Sequence, residues 1–372
     1  MTIAESSGLA RPASYGDVCS LLRSEPRRFL VTGVAGFIGS HLLEALLGLG
    51  QSVTGLDNFA TGSRNNLSDV LGRVGSVAAA RFRFIEGDIR DPFACGNAVK
   101  GARVVLHQAA LASVPRSIED PLSCYSVNVD GFLNVLLAAR SADVEQIVYA
   151  SSSSVYGDDA SCVKTEGRIG NPLSPYASTK LVDEIYAGVF ERTYGISSVG
   201  LRYFNVFGPR QDPAGPYAAV VPRWLEKLLS NEQCVAFGDG TASRDFCYVD
   251  NVVQANVLAA CAPASGHAVF NIGCGARITL LELFDALRKG VVLYQPNAAK
   301  AKLRFDSPRA GDILHSLASI VRARDELGYV PSHDLLSGIT KTIAWYAPRA
   351  LRSSARTASH GTTHAPEVRV QS

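Results

Sequence analysis

Short apolar runs alternate with amphipathic segments through the first half of the chain. The runs lie at residues 28–31, 51–57, 82–86, 104–107, 147–150 and 198–202, and apolar residues recur at helical spacing over 38–49. A strand, a helix and a strand in succession form one crossover unit, and repeated units are typical of a parallel sheet with helices on both faces. The pattern therefore predicts an α/β fold of the Rossmann type, with a doubly wound parallel sheet.

The pattern changes after residue 203, where loops rich in Pro and Gly interrupt helices and short strands. We expect residues 28–203 to form a dinucleotide-binding domain and 204–350 to form mainly a smaller α/β substrate-binding C-terminal domain, with some segments returning to the first domain. Residues 1–27 are predicted to form an N-terminal arm. Residues 351–372 carry few large apolar side chains and are predicted to be a disordered tail.

Composition narrows the classes of partner. The 372 residues include 36 Lys and Arg against 34 Asp and Glu, which gives no reason to expect nucleic acid or a membrane as a partner. The eight cysteines are scattered without a Cys-x-x-Cys pair, which predicts reduced thiols in a cytoplasmic protein and no metal site. No apolar run approaches the ~18 residues that span a bilayer, and the N-terminus lacks the profile of a secretory signal.

A glycine-rich segment follows the first predicted strand. Gly33, Gly36 and Gly39 precede a helix whose N-terminus, together with backbone amides, can bind a pyrophosphate. Asp57 ends the next strand, where it can accept hydrogen bonds from the ribose hydroxyls of NAD, and no Arg follows it to bind the 2′-phosphate of NADP. Asp88 is a candidate for the adenine amino group. The alternatives are a packing turn for the glycines and a helix cap for Asp88.

Tyr176 and Lys180 form a second candidate site. They are four positions apart in a segment of helical periodicity, so both side chains lie on one face. A free phenol is a poor base at neutral pH, and a neighbouring ammonium favours its ionised form. Serines 151–154 follow a predicted strand, and we expect the Ser152 hydroxyl to relay a proton to Tyr176. The alternatives are a solvated surface lysine and a serine turn that caps a helix.

These segments resemble those of a known family. Over roughly residues 28–346 the chain is similar to the extended short-chain dehydrogenase/reductase enzymes. Within them it resembles the sugar-nucleotide 4-epimerases, especially the UDP-N-acetylglucosamine (UDP-GlcNAc) 4-epimerases of polysaccharide biosynthesis. The segments that carry the resemblance are 32–39, 56–62, 87–90, 106–110, 113–117, 151–157, 174–180, 201–210 and 243–246.

The resemblance implies a role for individual residues. Tyr176 would be the base, Lys180 its activator and a ribose ligand, and Ser152 the hydroxyl partner. NAD would be held by Gly33, Gly36, Phe37, Ile38, Gly39, Asp57, Asn58, Thr61, Gly62, Asp88, Ile89, Ala109, Ala110, Asn128, Tyr176, Lys180 and Tyr203. A UDP-sugar substrate would be held by Ser113, Arg116, Ser152, Ser153, Ser154, Asn205, Arg244, Arg309, Asp312 and Ser316. For Arg244 with Asp245 and for Arg309 with Asp312, an intramolecular ion pair is the alternative.

The implied reaction is a redox-neutral epimerisation at C4 of the sugar. Tyr176 would remove the 4-hydroxyl proton while the C4 hydride passes to NAD, and the 4-keto sugar would turn over and regain the hydride on its other face. Ser316 would face the sugar 2-substituent, and its small side chain leaves room for an N-acetyl group. UDP-GlcNAc and UDP-GalNAc are therefore the expected pair, with UDP-Glc and UDP-Gal as further substrates.

Other functions are compatible with the same motifs. Within the family, the alternatives are a 4,6-dehydratase and a UDP-glucuronate decarboxylase or 4-epimerase. The dehydratases carry Asp-Glu where this chain has Ser153 and Ser154. A non-catalytic dinucleotide sensor is the alternative outside enzymes. Relatives generally dimerise through a four-helix contact, so the resemblance also implies a homodimer built from residues 122–140 and 176–192.

Overall fold

A seven-stranded sheet lies at the centre of the computed structural model, which describes residues 12–214, 218–263, 266–307 and 314–360. Its strands are β1 (Arg28–Thr32), β2 (Ser52–Asp57), β3 (Phe82–Glu86), β4 (Val104–His107), β5 (Gln146–Ser152), β7 (Ser198–Tyr203) and β12 (His267–Ile272). They lie side by side in the order β12-β7-β5-β4-β1-β2-β3, and every neighbouring pair is parallel. The direction of winding reverses between β1 and β4, which confirms the predicted doubly wound Rossmann-type sheet.

Helices cover both faces of this sheet, because the strands are apolar on both sides. One face packs against α1 (Tyr15–Ser24), α2 (Phe37–Gly48), α3 (Arg64–Val74), α11 (Val249–Cys261) and α13 (Val321–Leu327). The other face packs against α5 (Pro92–Ala98), α8 (Gly131–Ser141) and α9 (Pro175–Tyr194). Three shorter helices lie in the connections, namely α4 (Ser76–Ala79), α6 (Val114–Glu119) and α7 (Pro121–Tyr125).

A second apolar core forms from the C-terminal part of the chain. It is built around Trp224, Leu283 and Ile343, which lie on α10 (Val220–Leu229), α12 (Leu280–Val291) and α14 (Leu335–His360). Its strands pair two by two: β9 (Cys234–Phe237) with β14 (Leu303–Asp306), and β10 (Ser243–Arg244) with β13 (Ile278–Thr279). Two further pairs join the cores, β8 (Val206–Phe207) with β11 (Cys247–Tyr248), and β6 (Val163–Lys164) with β15 (Leu317–Ala318).

Segments from the C-terminal part of the chain also complete the first unit. β12 is an edge strand of the central sheet, and α11 packs on α2. The predicted N-terminal arm contains α1, which is held by a capping box between Ser14 and Asp17 and buries Val18 and Leu22 in the first core. Of the predicted tail, residues 351–360 continue α14, and residues 361–372 lie outside the described part of the chain.

Local sequence signals fix the ends of α9, the helix that carries Tyr176 and Lys180. The hydroxyl of Ser174 accepts the backbone N–H of Ala177, and Pro175 occupies the first turn, where its missing N–H costs nothing. Gly195 ends the helix with a positive φ of 71°, a conformation that favours glycine. The helix therefore begins one residue before the proposed base.

A buried ion pair joins α9 to the sheet. The guanidinium of Arg202 on β7 donates to both carboxylate oxygens of Glu184, at 2.8 and 2.7 Å, and the Ser151 hydroxyl donates to the same carboxylate at 2.6 Å. Arg202 also donates to the Tyr156 hydroxyl at 3.0 Å. Both charged side chains are about 95% buried. These bonds fix the rotation and the height of α9 on the sheet.

One helical stretch of the described residues, Pro121–Ser141, is long and apolar enough to cross a membrane, and 44% of its most apolar window is buried inside the protein. A helix buried in the core of a protein can have the same length and the same apolar composition. The eight cysteines form no disulfide. Localisation in the cytoplasm stays a prediction.

Candidate active site

The glycine loop between β1 and α2 is shaped to receive a phosphate group. A Cβ atom on Gly33, whose φ is +67°, would lie 2.7 Å from the backbone N of Ala109, and one on Gly39 would lie 2.1 Å from the carbonyl oxygen of Gly33. Gly36 precedes α2 without a side-chain cap, so the first N–H groups of this helix, including those of Phe37 and Ile38, are not bound by a capping side chain. Tight backbone approach and an uncapped helix N-terminus together fit a pyrophosphate.

Asp57 lies at the end of β2, beside this loop. Its two carboxylate oxygens accept the backbone N–H groups of Ala35 at 2.9 Å and Phe59 at 2.8 Å. Each oxygen retains a further lone pair, so the carboxylate can still accept the two hydroxyls of a ribose. Asp57 therefore fits its predicted role, because the loop holds it in place without using all of its acceptor capacity.

Asp88 lies across the cleft from the glycine loop. It accepts hydrogen bonds from the Arg90 guanidinium at 2.8 and 3.0 Å and from the Asn58 amide at 2.8 Å. The Arg90 bonds, which outweigh partial burial, lower the pKa of Asp88 to about 2. The carboxylate is therefore ionised at neutral pH, but each of its oxygens already accepts two bonds, because Oδ1 also accepts the Arg90 backbone N–H at 2.8 Å. Contact of Asp88 with the adenine amino group stays a prediction. Arg90 was not among the site residues predicted from the sequence.

The cleft between these groups contains much of the predicted cofactor site. Ten of its lining residues are predicted site residues: Gly33, Gly36, Asp57, Asn58, Thr61, Asp88, Ile89, Ala109, Ala110 and Arg116. Arg116 was predicted as a substrate ligand and lines this same cleft. The other eight residues that line the cleft were not predicted from the sequence. They are Leu56, Ala60, Gly87, Arg90, Gln108, Leu111, Ser123 and Val127. Gly62 packs tightly against the backbone of Ala35 beside the cleft. A Cβ atom on Gly62 would lie 2.9 Å from that backbone.

Two predicted cofactor residues act within the protein framework. Asn128 is fully buried, and its amide binds the backbone of Leu111 and the hydroxyl of Thr179, which joins the loop after β4 to α9. The Tyr203 hydroxyl donates to Gln108 at 3.1 Å and accepts from Asn256 at 2.8 Å. Direct contact of either residue with NAD stays a prediction.

Tyr176 and Lys180 lie one turn apart on the inner face of α9. Tyr176 is 9% exposed and Lys180 is 2% exposed. The Lys180 ammonium donates to Asp183 at 3.1 Å. Burial by itself would lower the pKa of Lys180, but the Asp183 carboxylate and the nearby Tyr176 outweigh it and raise that pKa above its ordinary value. Lys180 is therefore a buried cation that can favour ionisation of Tyr176.

Ser152 ends β5, and its hydroxyl caps the turn that follows. Its Oγ accepts the Ser154 backbone N–H at 3.2 Å and the Ser154 hydroxyl at 2.9 Å. A serine oxygen that accepts two bonds keeps its own hydrogen as a donor. The capped Ser152 hydroxyl can therefore donate to a sugar oxygen or to Tyr176, whereas a proton relay also needs an acceptor site, which opens only when the Ser154 hydroxyl releases Oγ. Ser153 and Ser154 are half-buried beside it.

Three of the predicted substrate residues meet around β10. The Arg244 guanidinium donates to the carbonyl oxygens of Ser243 and Leu314, and the Ser316 N–H donates to the carbonyl oxygen of Ser243 at 3.1 Å. The Asn205 amide donates to the carbonyl oxygen of Asp245 at 3.3 Å. Ser113 caps α6 by accepting the Arg116 N–H. Arg309 and Asp312 lie outside the described residues.

Asp245 organises this region, and the sequence reading gave it only an ion pair with Arg244 as an alternative. Its buried carboxylate accepts the backbone N–H groups of Cys274, Gly275 and Ala318 at 2.8, 2.9 and 3.2 Å. Burial raises its pKa to about 6, against the opposing effect of these bonds. Asp245 thereby ties together the loops that carry Arg244 and Ser316. In the described ranges, no group of three or more His, Cys, Asp and Glu side chains is placed to bind a metal.

Replacement of Gly39 by Ala tests the phosphate cradle. The added Cβ must displace the carbonyl group of Gly33. We therefore expect the affinity for NAD, measured by titration calorimetry after the bound NAD has been removed, to fall about tenfold or more, which is about 1.4 kcal/mol. Gly48→Ala is the matched control, because a Cβ at the far end of the same helix meets nothing within 4 Å. Equal NAD affinity in the two variants would contradict the cradle.

Comparison with known proteins shows the family of the chain. The model of the NAD dependent epimerase/dehydratase family matches residues 29–273. The chain is 38% identical to the UDP-glucose 4-epimerase of Mycolicibacterium smegmatis, over 86% of this chain and 98% of that protein. It is 37% identical to a putative UDP-glucose 4-epimerase of Methanocaldococcus jannaschii, over 85% and 97%.

Among solved structures, the chain is similar to the UDP-N-acetylglucosamine 4-epimerase of Methanobrevibacter ruminantium in complex with UDP-N-acetylmuramic acid. The TM-score is 0.80 at 34% identity, and the match covers 87% of this chain and 99% of that one. The resemblance found in the sequence is confirmed, and so is the cofactor. The chain belongs to the NAD dependent epimerase/dehydratase family and uses NAD.

Proposed function

We propose that the chain is a UDP-sugar 4-epimerase that interconverts UDP-GlcNAc and UDP-GalNAc. One observation carries the proposal. Tyr176 and the buried Lys180 lie one turn apart on one face of α9, and this helix packs on the sheet whose glycine loop borders the dinucleotide cleft. The names of the compared relatives and of the compared structure agree on 4-epimerisation of UDP-sugars.

The chemistry divides between the cofactor and the side chains. When bound, NAD supplies a group that can accept a hydride and return it. Tyr176 takes the proton of the 4-hydroxyl and later returns one to the 4-keto oxygen. Lys180 favours the ionised form of Tyr176, and the Ser152 donor hydrogen binds the sugar oxygen as charge develops on it. The glycine cradle, Asp57 and Asp88 hold the dinucleotide in place.

Ser153 and Ser154 argue against dehydration. Loss of water from the sugar needs an acid and a base near C5 and C6, and a serine hydroxyl does not titrate in the working pH range. The Ser154 hydroxyl is also bound to Ser152. These positions therefore support a reaction that ends at C4.

Epimerisation with no added cofactor is the direct test. The purified chain, incubated with UDP-GlcNAc, should form UDP-GalNAc, as followed by proton NMR of the anomeric signals. Tyr176→Phe removes the base and should lower kcat about 100-fold or more, in the range of general base catalysis. Absence of 4-epimer with UDP-GlcNAc, UDP-Glc and UDP-glucuronate, even after NAD is added, would contradict the proposed function.

Ser316 supports the choice of an acetylated sugar. It is 8% exposed, and its backbone is fixed to β10 beside Arg244. A small side chain held at a fixed position fills little of the volume around it. We infer that the Ser316 side chain faces the 2-acetamido group and leaves room for it.

Replacement of Ser316 by Tyr tests the inferred wall. A phenol ring fills the space, so kcat/KM for UDP-GlcNAc should fall at least about 10-fold while kcat/KM for UDP-Glc is retained, the discrimination that a pocket wall can supply. Leu314→Tyr is the matched control, because Leu314 lies in the same segment and is 66% exposed. Equal losses for both sugars in Ser316→Tyr would overturn the role of this residue.

We also propose a homodimer formed through residues 122–140 and 176–192, with exposed apolar side chains on α7 and α9. Ile185 and Val189 are 56% and 39% exposed on the side of α9 opposite Tyr176, and the neighbouring α7 exposes Leu122 by 81% and Tyr125 by 52%. Adjacent apolar side chains of this size are typical of a contact surface between subunits.

Sedimentation velocity tests the dimer. The wild-type chain should sediment as a dimer and Ile185→Asp as a monomer, because a carboxylate would be buried in the contact. Leu293→Asp, on an 86% exposed leucine of the C-terminal unit, should remain dimeric. A monomeric wild-type chain at micromolar concentration would contradict the proposal.

A further inference from the structure

Asp183 lies behind the proposed catalytic lysine. It is one turn beyond Lys180 and two turns beyond Tyr176, so the three side chains form a column on one face of α9. Asp183 is 1% exposed, and its Oδ2 accepts the Lys180 ammonium at 3.1 Å. A third charged or ionisable group thus belongs to the column, beyond the pair that the sequence singled out.

The contacts of Asp183 are not those of a structural carboxylate. Its neighbour Glu184 accepts three side-chain hydrogen bonds from Arg202 and Ser151 and joins the helix to the sheet. The Oδ1 atom of Asp183 is also buried, yet no group in the described ranges donates a hydrogen bond to it. A buried carboxylate with half of its acceptors unused weakens the fold unless it serves another purpose.

The buried titratable groups around this column, other than Lys180 and Asp183, are uncharged or already paired. Burial, with Lys180, lowers the pKa of His107 on β4 to about 3, so this imidazole is neutral. Burial raises the pKa values of Cys124 on α7, Tyr149 on β5 and Tyr203 on β7, so these groups stay protonated. Glu184 is paired with Arg202.

Asp183 itself is ionised at neutral pH. Burial raises its pKa to about 6, with Lys180 acting in the opposite direction. Above that pH it carries a negative charge. Apart from the Glu184–Arg202 pair, the buried charges on this face of α9 in the described part of the chain are therefore Lys180 and Asp183.

We propose that Asp183 is a positioning residue that holds the Lys180 ammonium and partly offsets its charge, so that Tyr176 can both take a proton from the sugar and return it. The inference rests on the proposed function. An ammonium with no counter-charge would favour the phenolate strongly and make it a weak proton acceptor, whereas a C4 epimerase needs proton transfer in both directions at one pH. One ammonium hydrogen binds Asp183, and two remain for Tyr176 and a ribose hydroxyl.

Direct titration of Tyr176 tests the offset. Holoenzyme labelled with 13Cζ-tyrosine is followed by NMR as the pH is raised, and the Tyr176 signal is assigned from its absence in Tyr176→Phe. Asp183→Asn keeps the shape and removes the charge, which leaves the ammonium unbalanced and favours the phenolate. The titration midpoint of Tyr176 should therefore move to lower pH by about one unit, the size expected for one charge several Å away at an effective dielectric constant of about 20.

Matched variants separate this effect from a general loss of structure. Glu191→Gln removes one negative charge from the same helix, two turns further on, and should leave the midpoint unchanged. Asp183→Glu restores the charge and should restore the wild-type midpoint. If the Asp183→Asn variant does not fold, Asp183→Ser is a second neutral variant, and the same shift of the Tyr176 midpoint is expected. An unmoved or raised midpoint in a folded neutral variant would overturn the proposal.

The same variants distinguish this proposal from the proposed function. The acid limb of kcat/KM should shift with the NMR midpoint in Asp183→Asn, while KM for the UDP-sugar changes little. If Tyr176→Phe retained full turnover, Tyr176 would not be the base, and the NMR midpoint would still report whether Asp183 controls its ionisation. If Tyr176→Phe were inactive and the midpoint did not respond to Asp183, the positioning role alone would fail.

Discussion

The buried bond between Glu184 and Arg202 is the contact on which the proposed active site depends. It crosses from α9 to β7, and Ser151 on β5 joins it, so one carboxylate ties the helix to two neighbouring strands. Removal of one partner of a buried, hydrogen-bonded pair typically costs about 3–5 kcal/mol, a large part of the roughly 5–15 kcal/mol that stabilises a domain. A rotation of α9 of only tens of degrees would carry Tyr176 and Lys180 away from the edge where Ser152 ends β5. Fixed geometry of this kind is what proton transfer requires.

The parallel sheet explains why the remaining groups converge. All seven strands point the same way, so their carboxyl ends share one edge, and the change of winding between β1 and β4 opens a cleft there. The glycine loop, Asp57, Asp88 and Ser152 each follow a strand at that edge. Asp245 in turn fixes the positions of Arg244 and Ser316, which are proposed to bind the substrate. Tight binding of the nucleotide by a rigid framework is compatible with the proposed reaction, in which the sugar turns over.

Local patterns in the sequence were sufficient for the sheet and for the residues adjacent to it. The apolar runs give six of the seven central strands, and the edge strand β12 lacked a distinct run because its first half is only partly buried. The glycine spacing and the Tyr176–Lys180 interval identify their sites because each function requires a short, continuous segment. Helical periodicity also places Asp183 on the same face as Tyr176, two turns further on. Acidic residues on helices are usually exposed, so the sequence did not mark Asp183 as a site residue.

Contacts between distant segments could not be predicted in this way. Gln108 after β4, Tyr203 on β7 and Asn256 on α11 come from three separate segments and meet through three hydrogen bonds. Asp245 binds N–H groups of a loop and of β15 that are 29 and 73 residues away, and no local pattern marks it as the residue that joins them. Such residues are recognisable only when the packing of the whole chain is known.

The transfer of hydrogen at C4 is the central claim, and isotope tracing measures it directly. UDP-GlcNAc carrying deuterium at C4 is incubated with the purified chain in ordinary water with no added NAD, and the UDP-GalNAc formed is analysed by NMR and mass spectrometry. Retention of the deuterium at C4 is the predicted result, because the same hydride leaves and returns within one closed site. A product that carries solvent hydrogen at C4 would contradict a hydride mechanism on bound NAD.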